Sequence, residues 1–286
     1  MPHGLLWSLA HPSAPVGSGL MGTLHLAVAR GTPSWPEATQ RLDLAGRLVL
    51  EVGLAELDGL VGDSSQGPQL AEVLDRSELE RFGAVVAALG LPPAALEGAS
   101  ALQCALLMIT LLWPVPGIGV DRMLAEHATA QGWSVLGLET PAEHVASVRE
   151  APTEDVAALL RAQLQAAEGS PWDRWRSADA LSRAYRAGDL GAVVREWEAL
   201  LPGLAEPWLH GRNGRMAERA HLLALEAPTF VAVGAAHLIG EGGLIQRLRD
   251  LGWTVAPVTV APEPPPQWFF ASPQPVYELR GGAPDA

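Results

Sequence analysis

Apolar residues form short continuous runs near both ends of this chain and recur at helical spacing through its middle. Near the N-terminus, an apolar run over 5–9, a proline-containing stretch and a second run over 19–25 predict a strand, a turn and a strand. A helix is expected over 36–45, with Ser34 as its N-cap and Pro36 in its first turn. The apolar run over 47–52 then predicts a buried strand that carries Glu51 near its end.

The middle of the chain is predicted to be mainly helical. Apolar residues at helical spacing indicate helices over 77–89, 119–131, 153–168, 177–187 and 190–200. For the first of these, Ser77 is the expected N-cap and Glu80 lies at the capping-box position. One strand interrupts the series at 133–139, where an apolar run ends on Glu139. We therefore expect a mainly helical insertion over about 60–210 that contains this single strand.

The last third returns to alternating strands and helices. Helices are expected over 214–225 and 243–251, and strands over 229–234 and 253–258, the latter at a sheet edge because it contains Pro257. The sequence thus predicts one α/β domain over 1–262, with a central mixed β-sheet, flanking helices and the large helical insertion. A proline-rich linker leads into a C-terminal extension over 263–286, in which 276–279 is the one predicted strand.

Composition and charge narrow the class of protein. The formal net charge of −13 argues against a nucleic-acid partner, since a phosphate backbone requires clustered positive charge. Cys104 is the only cysteine, so the chain can form neither an internal disulfide nor a thiolate metal cluster. The longest apolar stretch, 101–120, contains Gln103, two prolines and two glycines, which favours a buried helix and a turn over a membrane span. The N-terminus has no basic region or cleavage site of a secretory signal, so we expect a cytoplasmic location.

Four predicted strands end on or near ionisable side chains, namely His25, Glu51, Glu139 and His237. Both histidines close a G-x-x-H motif, at 22–25 and at 234–237. Ligands of α/β proteins bind at the carboxyl ends of the strands, so these side chains are expected to share one site. Two imidazoles and a carboxylate suit a divalent first-row metal, and water bound to such an ion can hydrolyse an amide or an ester.

Arg212 and Asn213 precede the helix expected at 214 and add other chemistry. The arginine is a permanent donor for a carboxylate or an oxyanion, and the asparagine can donate a hydrogen bond or cap the helix.

Structural alternatives remain open for all these residues. A strand-end histidine can simply bond a backbone carbonyl, and Glu51 and Glu139 can cap helices or pair with arginines. Arg212 can serve as a structural ion-pair partner and Asn213 as an N-cap alone. For the remaining helix and loop histidines we favour surface positions; these are His127, His144, His210 and His221.

These motifs, in this order and over nearly the whole chain, resemble the TraB/GumN (TIKI-like) family. The resemblance rests on the opening Leu-Trp strand, the two G-x-x-H motifs and the segments Leu-Val-Leu-Glu at 48–51, Gly-Val-Asp at 119–121, Gly-Leu-Glu-Thr at 137–140 and Arg-Asn at 212–213. The family is similar to a wider group that includes erythromycin-esterase-like and ChaN-like proteins. The resemblance implies an α/β fold with a helical insertion.

The animal TIKI members are metal-dependent proteases that use the two G-x-x-H histidines and a glutamate. By that resemblance, His25, Glu51 and His237 would hold a divalent metal, with Mn²⁺ or Co²⁺ favoured and Zn²⁺ as the alternative. Glu139, Arg212 and Asn213 would be the supporting catalytic residues.

Three functions therefore remain open at this stage. The first is a metal-dependent hydrolase with peptides as its substrates. The second is a metal-independent esterase that uses the same cluster. The third is a non-catalytic binding or regulatory protein for a peptide or a haem-like ligand. The sequence leaves the oligomeric state open, a homodimer included.

Overall fold

A single mixed sheet organises the protein. The computed structural model describes residues 4–28, 34–53, 67–149, 152–200, 205–240 and 242–259. The strands of these residues are β1 (Leu6–Ala10), β2 (Gly19–Thr23), β3 (Arg47–Val52), β4 (Ser134–Glu139), β5 (Phe230–Gly234) and β6 (Thr254–Pro257). Their order across the sheet is β4-β3-β5-β2-β1-β6. Strands β4, β3, β5 and β2 run parallel, and β1 is antiparallel to both of its neighbours. The predicted α/β class with a mixed sheet is confirmed.

Helices connect and cover the strands. In the described residues they are α1 (Trp35–Ala45), α2 (Leu70–Val73), α3 (Arg76–Ala88), α4 (Ala101–Leu112), α5 (Val120–Ala130), α6 (Pro141–Arg149), α7 (Thr153–Glu168), α8 (Pro171–Arg186), α9 (Leu190–Leu200), α10 (Ala205–Glu226) and α11 (Leu244–Asp250). Short 3₁₀ turns occur at Pro93–Leu96 and Ala235–His237. As expected, the strand near 133–139 joins the central sheet, as β4, and β6 with its proline lies at a sheet edge.

The register of β2 and β5 brings the two G-x-x-H motifs side by side. Gly22 lies opposite Val233 and Thr23 lies opposite Gly234, so the motifs leave adjacent parallel strands with an offset of one residue. A Cβ atom on Gly22 would lie 2.6 Å from Leu238 Cδ1 and 3.2 Å from the Cα atom of Ala235, so a larger residue here would require these neighbours to shift. The close approach of the chain after β5 to β2 therefore depends on the first glycine of the first motif.

One predicted N-cap differs from the structure, and a second is confirmed in its position but not in its hydrogen bond. Helix α3 begins at Arg76, and its capping box consists of Asp75 and Glu78 instead of Ser77 and Glu80. The chain contains two overlapping sequences of the capping-box type, and the earlier one is used, with Asp75 Oδ1 accepting from the Glu78 backbone N–H at 2.8 Å. Ser34 stands at the N-cap of α1, but its side chain makes no capping hydrogen bond.

Helix α10 starts well before its predicted position at 214, and this changes the setting of Arg212 and Asn213. Both lie inside the helix rather than in a loop ahead of it. Asn213 therefore does not cap this helix, which was one of the roles that the sequence left open for it.

The helical part of the chain has its own apolar core. Helices α3, α4 and α7 contribute buried residues such as Phe82, Met108 and Leu160 to it. Trp197 and Leu200, on α9, pack against both this core and the core of the sheet. Cys104 is 1% exposed within the helical core, and burial raises the pKa of its thiol to about 11, which makes it a poor nucleophile.

Two further observations delimit the fold. In the described part of the chain, no helix is both long enough and apolar enough to cross a membrane. The predicted C-terminal extension over 263–286, with its strand at 276–279, lies outside the described residues.

Candidate functional site

Glu51 is the centre of a cluster at the carboxyl ends of the parallel strands. It is the next-to-last residue of β3, and its Oε1 accepts the backbone N–H of Gly234 at 2.7 Å. The same Oε1 lies 3.5 Å from His25 Nε2, and Oε2 lies 3.5 Å from His237 Nε2. The structure thus brings together Glu51 on β3, His25 just after β2 and His237 in the 3₁₀ turn after β5, a convergence that the sequence predicted.

Gly234, which begins the second G-x-x-H motif, makes this convergence sterically feasible. A Cβ atom at this position would lie 3.1 Å from Glu51 Oε1, 3.5 Å from His25 Nε2 and 3.6 Å from His237 Cδ2. Both imidazole rings and the carboxylate therefore border the same small volume. A side chain at Gly234 would have to be accommodated within it.

His25 is oriented by a carboxylate on the far side of its ring. Its Nδ1 lies 2.9 Å from Asp121 Oδ2, and Thr23 donates its hydroxyl hydrogen to the other oxygen of Asp121. An ionised carboxylate only accepts hydrogen bonds, so Nδ1 carries the hydrogen and Nε2 faces Glu51. The charge of Asp121 raises the pKa of His25 well above its ordinary value. The side chain of His25 is 52% exposed, which makes it the solvent-facing member of the cluster.

His237 is oriented in the same manner by an amide. Its Nδ1 lies 2.7 Å from Asn213 Oδ1, while Asn213 Nδ2 donates to the Gly242 carbonyl at 3.2 Å. Because the amide nitrogen is engaged elsewhere, the amide oxygen faces His237 and accepts from Nδ1. The Nε2 atom on the other side of the ring lies 3.5 Å from Glu51 Oε2 and 3.5 Å from Arg212 Nη1. Asn213 belongs to the site by orienting a histidine, not by capping a helix.

Arg212 lies between two buried carboxylates. Its Nη2 donates to Glu51 Oε2 at 2.7 Å and to Glu139 Oε2 at 2.6 Å, and its Nε donates to Glu139 Oε2 at 2.9 Å. Burial alone would raise the pKa of Glu51, but the interactions with His237, His25 and Arg212 hold it well below its ordinary value. Burial likewise opposes ionisation of Glu139, yet its contacts with His144 and Arg212 lower its pKa. Both glutamates therefore pair with an arginine, which is one of the structural alternatives that the sequence left open.

Sequence reasoning missed two members of this cluster. His144, expected on the surface, has its Nδ1 3.0 Å from Arg212 Nη2 and 3.5 Å from Glu139 Oε2. Asp121 entered the sequence reasoning only as part of a motif, although it orients His25. Its position in the first turn of α5, two residues after Gly119, which closes against the segment of His25, was the available signal.

Two of the other histidines lie elsewhere. His127 pairs with Asp43 at 2.9 Å, and His221 accepts the indole N–H of Trp253 at 3.0 Å. The side chain of His210 is outside the described residues.

Comparison with known proteins assigns the chain to a family. The sequence profile of the TraB/PrgY/gumN family matches residues 5–257, which is nearly the whole chain. This protein belongs to the TraB/PrgY/gumN family.

The chain is also similar, at low identity, to two curated bacterial proteins. Uncharacterized protein YbaP of Shigella flexneri is 24% identical over 242 residues, which cover 81% of this chain and 88% of that protein. Uncharacterized protein YbaP of Escherichia coli strain K12 is 24% identical over 240 residues, with 80% and 87% covered. No solved structure matches this chain significantly.

The donor types in this TraB/PrgY/gumN family member suit a divalent ion, but their present arrangement does not form a closed ligand set. Both Nε2 atoms face Glu51, and both Nδ1 atoms are held by a hydrogen-bond acceptor, an arrangement usual for metal-bound histidines. Yet in the residues that the structure describes, no group of three or more His, Cys, Asp or Glu side chains is placed to hold a metal ion. Arg212 bonds Glu51 Oε2, so an ion using that oxygen requires this contact to open.

Proposed function

We propose that this TraB/PrgY/gumN family member is a hydrolase of peptide bonds, with a divalent ion held by His25, Glu51 and His237. One observation carries the proposal: two imidazoles direct their Nε2 atoms at the two oxygens of one buried carboxylate, each at 3.5 Å. Two ligands that bind one ion at about 2.0–2.2 Å are separated by roughly 3.0–3.5 Å, so little movement of the histidines is needed. A bound Mn²⁺, Co²⁺ or Zn²⁺ would lower the pKa of a water molecule and polarise a carbonyl.

The remaining residues of the cluster have distinct proposed roles. His25 faces solvent and is the member that meets the substrate, while Asp121 keeps the hydrogen on its Nδ1. Asn213 likewise fixes the orientation of the His237 ring through a hydrogen bond to its Nδ1. Glu139 is fully buried against Arg212, so it positions the guanidinium rather than exchanging protons with substrate. Arg212 in turn keeps Glu51 ionised and is the donor for a substrate carboxylate or for developing charge.

A second candidate is hydrolysis of esters without a metal ion, and one observation favours it. Arg212 already compensates the charge of Glu51 at 2.7 Å, and His25 with Asp121 forms a complete orienting pair. His25 would then remove the proton from a water molecule through Nε2. The relation to erythromycin-esterase-like proteins, which suggests this reaction, remains a prediction from resemblance. The cytoplasmic location remains a prediction from the N-terminal sequence, and the oligomeric state stays open.

Hydrolysis assays with and without metal separate these functions. The purified full chain would be incubated with a quenched fluorescent peptide library and, separately, with p-nitrophenyl acetate. We expect peptide cleavage that disappears on exhaustive chelation, returns with Mn²⁺ or Co²⁺, and is lost in His25→Ala. The control variant His221→Ala alters a histidine outside the cluster and should retain activity.

Two other outcomes of these assays would support the alternative functions. Ester hydrolysis that survives chelation but is lost in His25→Ala would support the metal-free reaction. Tight peptide or haem binding with no product from either substrate would contradict both enzymes and support a binding protein.

A further inference from the structure

An apolar groove lies beside the proposed catalytic cluster. It has a volume of about 510 Å³ and is lined by Ala27, Val28, Trp35, Pro116, Ile118 and Met123. We call it the Ile118 groove, after the residue that is 41% exposed on its wall. Its volume falls within the roughly 300–1,000 Å³ that is usual for small-molecule sites.

The groove lies near the cluster, because two chain segments that carry cluster residues also form part of its wall. One segment carries His25 and, two residues later, Ala27; the other carries Ile118 and, three residues later, Asp121. An antiparallel bridge joins Ala27 to Gly119, and the Val120 N–H donates to the Leu24 carbonyl at 2.8 Å. Two residues of chain span at most about 7 Å, so the wall of the groove at Ala27 lies within about two substrate residues of His25.

Gly117 and Gly119 allow the backbone conformation and the close backbone contact that form this part of the groove. A Cβ atom on Gly119 would lie 2.3 Å from the His25 carbonyl oxygen, so the two segments approach as closely as backbones can. Gly117 has a φ of +128°, a conformation that side-chain-bearing residues rarely adopt. The groove is therefore built by local backbone geometry rather than by flexible side chains alone.

The ionisable groups that border the groove already have partners. Glu126 pairs with Arg122 at 3.2 Å, and His127 pairs with Asp43 at 2.9 Å. The described walls otherwise offer aliphatic, aromatic and thioether surface, which gains free energy by covering an apolar group. A charged or strongly polar group would lose hydration there without compensation.

We propose that the Ile118 groove binds an apolar side chain of the substrate, within about two residues of the bond that is hydrolysed; the substrate role rests on the proposed hydrolase function. The substrate class is then a peptide or an amide with a leucine-like or aromatic residue within about two residues of the scissile bond. The groove supplies specificity, and His25 and its neighbours supply the reaction.

Binding can be tested without any turnover. Methyl signals of the five methionines would be followed by NMR while N-acetyl-leucine amide or N-acetyl-serine amide is added, with the Met123 signal assigned from Met123→Leu. We expect the leucine amide to shift the Met123 signal and the serine amide not to shift it at the same concentration. Ile118→Asp should weaken leucine amide binding about tenfold or more, because it places a charge on the apolar wall. Val16→Asp, at a site 90% exposed and outside the groove, is the matched control and should bind as the wild type does.

Equal responses to the two amides, no response to either, or unchanged binding in Ile118→Asp would overturn the proposal. Hydrolysis gives a separate readout. An active enzyme whose leucine-to-serine ratio of kcat/KM is unaffected by Ile118→Asp overturns the groove proposal alone. Selective leucine binding by a protein that hydrolyses neither amide overturns the proposed function alone and supports the ligand class assigned to the groove.

Discussion

At the scale of single residues, the site depends on how each imidazole is held. His25 and His237 each use Nδ1 for an orienting hydrogen bond, to Asp121 and to Asn213, and each turns Nε2 toward Glu51. The two acceptors differ in charge. The carboxylate of Asp121 stabilises the protonated form of His25.

The variant Asp121→Asn tests the orienting pair. Asp121 raises the folded-state pKa of His25 above its unfolded value of about 6.5, so this pair stabilises the fold below that pH. The stabilisation is lost as pH rises through the folded-state pKa. We expect Asp121→Asn to lower the free energy of unfolding by about 1 kcal/mol at acidic pH, a modest value because His25 is half-exposed, and by less at alkaline pH.

Chemical denaturation at several pH values measures this difference. Asp43→Asn is the matched control, because it removes a second Asp–His contact, to His127, where Asp43 is half-exposed. An equal loss of stability at acidic and alkaline pH in Asp121→Asn would contradict the assigned role of Asp121.

At the scale of elements, close backbone approach decides where the site residues lie. Gly22 admits Leu238, Gly234 admits Glu51 and both histidines, and Gly119 admits the backbone of His25. Each glycine stands where a strand or loop meets the next element. The sequence marks these positions as glycines but does not indicate which atoms approach them.

Gly119→Ala tests this dependence on close approach. The new methyl group would meet the carbonyl oxygens of His25 and Leu24, at 2.3 and 2.8 Å, so one backbone segment must move. We expect a loss of about 1–3 kcal/mol in the free energy of unfolding, together with reduced hydrolysis because His25 shifts.

Gly83→Ala is the control for this substitution. Gly83 lies inside α3, and no atom lies within 4 Å of the place that a Cβ atom would take, so alanine should raise the free energy of unfolding by about 0.5–1 kcal/mol. Thermal unfolding of both variants gives the comparison. Gly119→Ala as stable and as active as the wild type would show that the close approach is not required.

The sequence predicted strand ends better than helix starts. Strands β3, β4 and β5 are apolar runs that end near a charged residue or a glycine, so their positions and their shared sheet edge followed from the pattern. The start of α10 did not follow from the pattern, because Pro207, Gly211 and Gly214 are all residues that disfavour a helix. Packing of the helix against the rest of the chain outweighs those preferences. Arg212 and Asn213 were therefore predicted as site residues while their local structure was misjudged.

Contacts between side chains that are far apart in the sequence could not be predicted either. That His144 reaches Arg212, and that Asp121 reaches His25, depends on how α6 and α5 pack on the sheet. No short-range pattern in one sequence specifies that packing.

At the scale of the whole molecule, the sheet and the helical part are joined through shared apolar residues. The helical core around Phe82, Met108 and Leu160 is separate from the sheet core, but Trp197 and Leu200 pack against both. Such a connection favours unfolding of the two parts together.

Leu160→Ala tests this coupling. Leu160 is fully buried in the helical core, and its truncation should lower the free energy of unfolding by about 2–5 kcal/mol. If the two cores unfold together, the loss appears equally in far-UV circular dichroism and in a probe near the site, such as the NMR signal of His25. Unfolding of the helical part at lower denaturant concentration, with the signal of His25 unchanged, would contradict the coupling.

Family membership and the position of the cluster are consistent with one account: distant motifs of a TraB/PrgY/gumN family chain meet at one sheet edge. The central claim is that His25, Glu51 and His237 hold a divalent ion there.

The most direct test is Mn²⁺ binding by isothermal titration calorimetry to the metal-free protein and to the double variant His25→Ala, His237→Ala. The matched control is His11→Ala, His221→Ala, which removes two histidines whose ring centroids lie 5.8 Å apart outside the site. The account predicts stoichiometric Mn²⁺ binding by the wild type and the control and its loss in the His25, His237 double variant; unchanged binding in that variant, or none by the wild type, would contradict it.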